Sequence, residues 1–189
     1  MAHHLIFEGA ELSGKSWVMS QVYNFLESKY QQNDNILDGC HWFNCDVGIF
    51  GTKEGKGVIK NYVKIFQELR DKNIIVEKLH LADKVYNKLY NKKRIGYWCI
   101  EKKLKKLDFK IVLLTFPEDK NLLERRLQDR INLYPHYERI AKQAQFYIEQ
   151  QRLYLRKIKK SRLPYIIIEA GEFPDETIVP KILEWLGKK

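Results

Sequence analysis

The chain has 189 residues, 44% hydrophobic and 31% charged, a composition of ordinary globular type and a length sufficient to bury its own core. Lysines and arginines number 34 against 24 aspartates and glutamates, and the resulting net charge of +10 favours anionic partners. No apolar run has membrane-spanning length, the N-terminus lacks the regions of a signal peptide, and Cys40, Cys45 and Cys99 form neither an even disulfide set nor a zinc spacing; a cytoplasmic protein with reduced thiols and no membrane partner is expected.

The first predicted element is a strand over residues 4–8, built on Leu5-Ile6-Phe7. It runs directly into Gly9-Ala10-Glu11-Leu12-Ser13-Gly14-Lys15-Ser16, after which Val18, Val22, Phe25 and Leu26 predict a helix over 15–31. Strand, glycine-rich turn and helix in this order make a phosphate-binding loop. The glycines allow the tight turn, successive N–H groups and the helix N-terminus face a polyphosphate, Lys15 reaches the β and γ phosphates, and Ser16 binds magnesium. ATP and Mg2+ are the expected cofactors.

Further strands are predicted over 40–45, 73–77, 110–116 and 164–169, with helices over 56–71, 82–106, 119–131, 136–160 and 175–187. The continuous apolar runs Ile111-Val112-Leu113-Leu114 and Tyr165-Ile166-Ile167-Ile168 predict strands buried on both faces. Alternating strands and helices without a linker predict one α/β domain over 1–189, a three-layer sandwich of a five-stranded parallel sheet with helices on both faces. In such a sheet the ligand lies at the carboxyl ends of the strands, which directs attention to 9–16, 44–48, 77–80 and the segment after Phe116.

Within those segments, Glu77 ends a strand beside the loop and is expected to hold the metal through water, while Asp46 is a candidate general base or acceptor anchor. Arg126 and Arg130, four apart, share one helix face, with Arg125 pointing elsewhere. Trp42, Phe43, Phe50, Tyr62, Phe66 and Tyr86 are candidate walls for an acceptor base, most of them expected in the core. Basic residues concentrate at 102–110, expected as a solvated helix face, and at 152–162.

The opening Phe7-Glu8-Gly9-Ala10-Glu11-Leu12-Ser13-Gly14-Lys15-Ser16 resembles that of thymidylate kinases and the related deoxynucleoside kinases. Glu11 looks like the acidic loop residue that thymidylate kinases place near the acceptor nucleotide. Ile74-Ile75-Val76-Glu77-Lys78 is similar to the third strand of these enzymes, with Lys78 where they carry arginine. The run 111–118 followed by Leu122 to Arg130 resembles their fourth strand and arginine-bearing lid, here near 125–140. No Arg-Glu-Pro-Gly segment follows the second strand, and Asp46 stands where deoxynucleoside kinases place an acidic residue near the accepting hydroxyl. The resemblance implies a nucleoside monophosphate kinase-like fold and phosphoryl transfer from ATP to a nucleoside monophosphate, a deoxynucleotide such as dTMP. Lys15, Arg126, Arg130, Asp46 and Glu77 are then the catalytic set. A deoxynucleoside kinase and a non-catalytic nucleotide-binding protein of the same fold are the alternatives. Related kinases often form dimers, which makes a homodimer an expectation; the charge admits nucleic acid as a partner without selecting it.

Overall fold

Alternation of buried side chains on β1 (His4–Gly9) sets the layering: Leu5 and Phe7 face one side of the sheet and Ile6 the other, and all three are fully buried. The computed structural model describes residues 2–27, 39–45 and 48–187. β2 (Cys40–Asn44), β3 (Asn73–Glu77), β4 (Phe109–Thr115) and β5 (Tyr165–Glu169) join β1 in one parallel sheet of order β2-β3-β1-β4-β5. β1 pairs with β3 from His4 opposite Ile74 to Phe7 opposite Glu77, and with β4 from His4 opposite Phe109 to Gly9 opposite Leu114. Later crossovers go to opposite sides of β1, so the loop after it occupies the point where the winding reverses and a parallel sheet leaves a crevice.

One face of the sheet is covered by α1 (Lys15–Leu26) and α7 (Ile178–Trp185), which pack Val18, Val22, Ile178 and Ile182 against Leu5, Phe7, Val112 and Leu114. The other face carries α2 (Gly55–Glu68), α3 (His80–Asn91), α4 (Trp98–Lys106) and α6 (Ala144–Ile158) over Ile6, Ile74, Val76, Ile111 and Leu113. Each large apolar side chain buried here contributes roughly 1.5–3 kcal/mol. α5 (Lys120–Leu133) and a 3-10 helix, Pro135–Arg139, follow β4 at the carboxyl end of the sheet. No helix among the described residues is long and apolar enough to cross a membrane.

Four predicted elements are corrected. The helix expected over 136–160 is the 3-10 helix Pro135–Arg139 followed, after an irregular stretch over 140–143, by α6 from Ala144. The helix expected over 82–106 is two helices, because Lys92 takes a left-handed conformation, φ 53°, and closes α3 with its N–H on Asn87 O. α1 ends at Leu26, where Glu27 turns to an extended conformation and its carboxylate accepts from Tyr23 Oη and Cys40 N; the rest of the predicted span lies outside the described residues. β5 is not buried on both faces. It is an edge strand, paired only with β4, and helices cover only the face bearing Ile166 and Ile168, leaving Tyr165 38% and Ile167 40% exposed. For β4, where Ile111 to Leu114 are all fully buried, the expectation holds.

Candidate active site

Two glycines fix the phosphate loop. Gly9 has φ 149° and any side chain there would strike the Leu114 carbonyl on β4; Gly14 has φ 76°, caps α1, and has the Phe173 ring where a side chain would project. Between them Leu12 also turns left-handed, φ 63°, with its carbonyl accepting from Arg126 Nη1 at 2.8 Å. Lys15 Nζ lies over the loop, donating to Ala10 O at 2.8 Å and lying 3.4 Å from Ser13 Oγ. Ser16 Oγ donates to Glu77 Oε1 at 3.2 Å across the gap between α1 and the end of β3. The predicted metal pair is therefore in contact.

Glu8, fully buried at the end of β1, ties this loop to the start of α3: its Oε1 accepts from Leu79 N at 3.0 Å and Leu81 N at 3.1 Å. Its Oε2 is enclosed and has no hydrogen-bond partner among the described residues. Burial pushes the carboxyl up to about 7, and the amides of the α3 turn and the Lys15 charge offset only part of that rise. A carboxyl raised from about 4.5 to about 7 favours folding fully below pH 4.5 and loses that contribution as pH rises through 7, a change of roughly 3 kcal/mol. Glu8→Gln should flatten the stability profile between pH 4.5 and 8 and stabilise the protein at the alkaline end. Urea unfolding across that range checks it; an unchanged slope in the variant rejects the assignment.

Glu11 sits at the other side of the loop. Its Oε1 accepts from Lys78 Nζ at 2.5 Å and Tyr86 Oη at 3.1 Å, and its backbone N–H donates to Gln150 Oε1 at 2.9 Å. Burial opposes ionisation of this carboxyl, but the charges of Lys78 and Lys15 hold it down at about 2. Beside it opens a cavity of about 380 Å³, within the size range of small-ligand sites, lined by Glu11, Tyr86, Tyr90, Arg130, Tyr137 and Phe146, with Lys142 and Gln150 adding polar groups. Tyr86 and Tyr90 lie 5.7 Å apart, and Tyr90 and Phe146 6.3 Å, so aromatic faces form a continuous wall from α3 to α6. The Arg130 guanidinium packs 5.1 Å from the Tyr134 ring and 5.2 Å from that of Tyr137.

The expected residues divide accordingly. Gly9 to Ser16, Glu77 and the Arg130 cavity converge at the carboxyl end of the sheet, while Asp46 lies outside the described residues. Arg126 is partly buried and donates to the carbonyls of Leu12, Ala170 and Gly171, binding the phosphate loop to the segment after β5; its guanidinium also stacks 4.9 Å from Phe173. Arg125 pairs with Glu172 at 2.8 Å, pointing elsewhere as the helix period requires. Of the expected aromatic walls only Tyr86 reaches the cavity: Phe50 and Phe66 are core, Phe43 and Tyr62 pack on Phe66, and Trp42 on Tyr23. Tyr90, Tyr137, Phe146 and Lys142 were not expected there. Tyr90 follows Tyr86 by four residues and so shares its face, the one sequence signal that points to it. A further buried anchor, Asp83, accepts from Gly51 N at 2.8 Å and from Tyr97 Oη, holding the segment after β2 against α3.

No family model and no curated protein sequence matches the chain. Among solved structures, the YorR protein of Bacillus subtilis in complex with phosphorylated GDP aligns with a TM-score of 0.65 at 16% identity, over 97% of this chain and 95% of that one. This chain has the fold of P-loop nucleotide kinases. The deoxyadenosine kinase of M. mycoides supports the same conclusion, with a TM-score of 0.56 at 12% identity over 97% and 98% of the two chains in its structure with dCMP and dCDP. Its dCTP-bound structure gives 0.52 at 16% over 99% of each chain.

Proposed function

We propose that the protein is an ATP- and magnesium-dependent kinase that transfers a phosphoryl group to a nucleoside monophosphate, a deoxynucleotide such as dTMP being the expected type. One observation carries the reading: the aromatic cavity opens against Glu11 of the phosphate loop itself, and Glu11 feels the charge of Lys15. An acceptor bound in the cavity would lie next to the donor phosphates. Glu11 and Tyr86 offer polar atoms to the sugar hydroxyls, the tyrosines and Phe146 a flat wall for the base, and Arg130 and Lys142 positive charge for the acceptor phosphate.

An acceptor phosphate oxygen is already anionic, attacks the γ-phosphorus directly and displaces ADP as the bond to the β–γ bridging oxygen breaks. Such an acceptor needs no strong base. That matches Glu11, which at a pKa of about 2 is a poor proton acceptor and a good hydrogen-bond acceptor. Lys15 supplies charge to the donor phosphates; Arg126, at Leu12, and Arg130, in the cavity, supply it on the donor and acceptor sides. In the alternative with a deoxynucleoside acceptor, Asp46 is the base for the sugar hydroxyl, but Arg130 and Lys142 then face no acceptor phosphate.

The residues present fit a magnesium ion. No group of three or more His, Cys, Asp or Glu side chains among the described residues could hold a metal, and a nucleotide-bound magnesium requires none, because phosphates and waters fill most of its coordination sphere. Ser16, in contact with Glu77, would be the direct ligand and Glu77 would act through water; the ion would supply positive charge to the donor phosphates. Ser16→Ala should raise the magnesium concentration for half-maximal rate on the order of tenfold, while Ser16→Thr stays near wild type. A titration of rate against magnesium checks this; identical midpoints in all three proteins remove Ser16 from the metal site.

The function is tested by incubating the protein with magnesium and ATP against nucleosides, their monophosphates and a 5′-hydroxyl oligonucleotide, identifying products by mass. Conversion of a monophosphate to its diphosphate is the expected result. Preferred phosphorylation of nucleosides, or ATP binding without transfer, contradicts it.

A further inference from the structure

Outside the candidate active site lies a groove of about 940 Å³ between α3, α4 and the end of α6. Eight lysine and arginine side chains line it against a single carboxylate, Glu101. Lys84 and Lys88 come from α3, Arg94 from the α3–α4 connection, Arg156 and Lys157 from the last turn of α6, and Lys159, Lys160 and Arg162 from the segment that follows. Glu101 is already engaged: it accepts from Lys84 Nζ at 2.7 Å and Arg162 N at 3.2 Å and lies 3.2 Å from His80 Nε2. Among the described residues, Lys88, Arg94, Arg156, Lys157 and Lys160 have no carboxylate within ion-pair distance. Their mutual repulsion is evident at Lys157, whose ammonium is held below its usual range by burial and by the charges of Arg94, Lys160, Lys84 and Lys88.

Such crowding is unfavourable in the free protein and is relieved by a polyanion. At the rim stands Trp98, 52% exposed, with Lys102 5.5 Å and Arg162 5.3 Å from its ring. An exposed indole among unpaired cations matches a chain that alternates phosphates with planar bases, whereas a lipid surface calls for a flat apolar face and an acidic peptide makes no use of the ring. We infer that this groove is a binding site for single-stranded nucleic acid, its phosphates held by the cations of α3 and α6 and a base stacked on Trp98. The groove and the candidate active site use different faces of the same helices: Tyr86 and Tyr90 line the acceptor cavity, Lys84 and Lys88 the groove.

The test is fluorescence anisotropy of a labelled oligothymidylate with the whole protein, titrated at several salt concentrations, with and without magnesium and ATP. The inference predicts binding whose logarithm falls with log salt at a slope of about −2 or steeper, equivalent to three or more neutralised phosphates. Magnesium and ATP should not displace the oligonucleotide, and Lys15→Ala should bind it normally. The double variant Arg94→Glu/Lys160→Glu, at two exposed positions, should weaken binding more than tenfold, and Trp98→Ala on the order of tenfold while Trp98→Phe largely retains it. Circular dichroism confirms that each variant is folded. Absence of binding, displacement by ATP, wild-type affinity in the charge-reversed variant, or equal competition by polyglutamate or anionic vesicles overturns the inference.

Discussion

Lys15→Ala is expected to lower the rate of phosphoryl transfer on the order of 10³-fold, because phosphoryl transfer asks the protein mainly for positioned positive charge and Lys15 is the cation held within the phosphate loop. The fold should survive. The side chain's described hydrogen bonds go to Ala10 and Ser13 of its own loop, and the core of β1 and α1 is built from Leu5, Phe7, Val18 and Val22. A structural signature accompanies the kinetic one: Lys15 lowers the Glu8 carboxyl, so its removal should push that group higher still and steepen the loss of stability towards alkaline pH. Stopped-time assays with product identification, together with urea unfolding at pH 6 and 8, measure both. A variant that retains most of its activity removes Lys15 from the mechanism.

The second large effect is on stability. Lys78, 4% exposed at its side chain and left-handed at φ 56°, holds the Glu11 carboxylate at 2.5 Å. Lys78→Met leaves that partly buried carboxylate, among the described residues, with the Tyr86 hydroxyl and the charge of Lys15, which should cost about 2–4 kcal/mol, less than a fully enclosed pair because a quarter of the Glu11 side chain is still exposed. The sign of the pH dependence follows from Glu11. A carboxyl depressed from about 4.5 to about 2 stabilises the fold above pH 4.5 and loses that contribution as pH falls towards 2. The gap between wild type and Lys78→Met should therefore narrow as pH falls below 4.5. Lys78→Arg, which keeps the charge, should lose about 1 kcal/mol or less. Equal stabilities for wild type and Lys78→Met at pH 7 contradict the assigned pair.

How much of this was legible in the sequence depends on whether the determining interactions are local. The strand, loop and helix from His4 to Leu26 were legible because the glycine spacing, the lysine and the apolar period lie within one stretch of chain. The sheet's parallel character and the interior position of β4 followed from alternation of elements and from Ile111 to Leu114. β5 was misread because Ile166 and Ile167 look alike in composition, and only the strand order makes one face bare. The break at Lys92 was missed because a lysine in the left-handed region leaves no mark in an apolar pattern. In the site, the nearness of Ser16 to Glu77 was legible from the loop motif and from a strand end, whereas Tyr137 and Phe146 come from segments that meet α3 only through tertiary packing. Arg126 was expected as a lid residue from the resemblance to the arginine-bearing lid; its three carbonyl contacts depend on how the β5–α7 segment returns to the loop.

In the proposed reaction the cavity beside Glu11 holds an acceptor that already carries a phosphate. The most direct test is the steady-state kinetics of Arg130→Ala with the preferred monophosphate and ATP varied separately. The predicted result is a KM for the monophosphate raised more than tenfold with the KM for ATP unchanged, since Arg130 lines the acceptor cavity and not the phosphate loop. An unchanged acceptor KM, or a rise confined to ATP, would place the acceptor elsewhere and contradict the account.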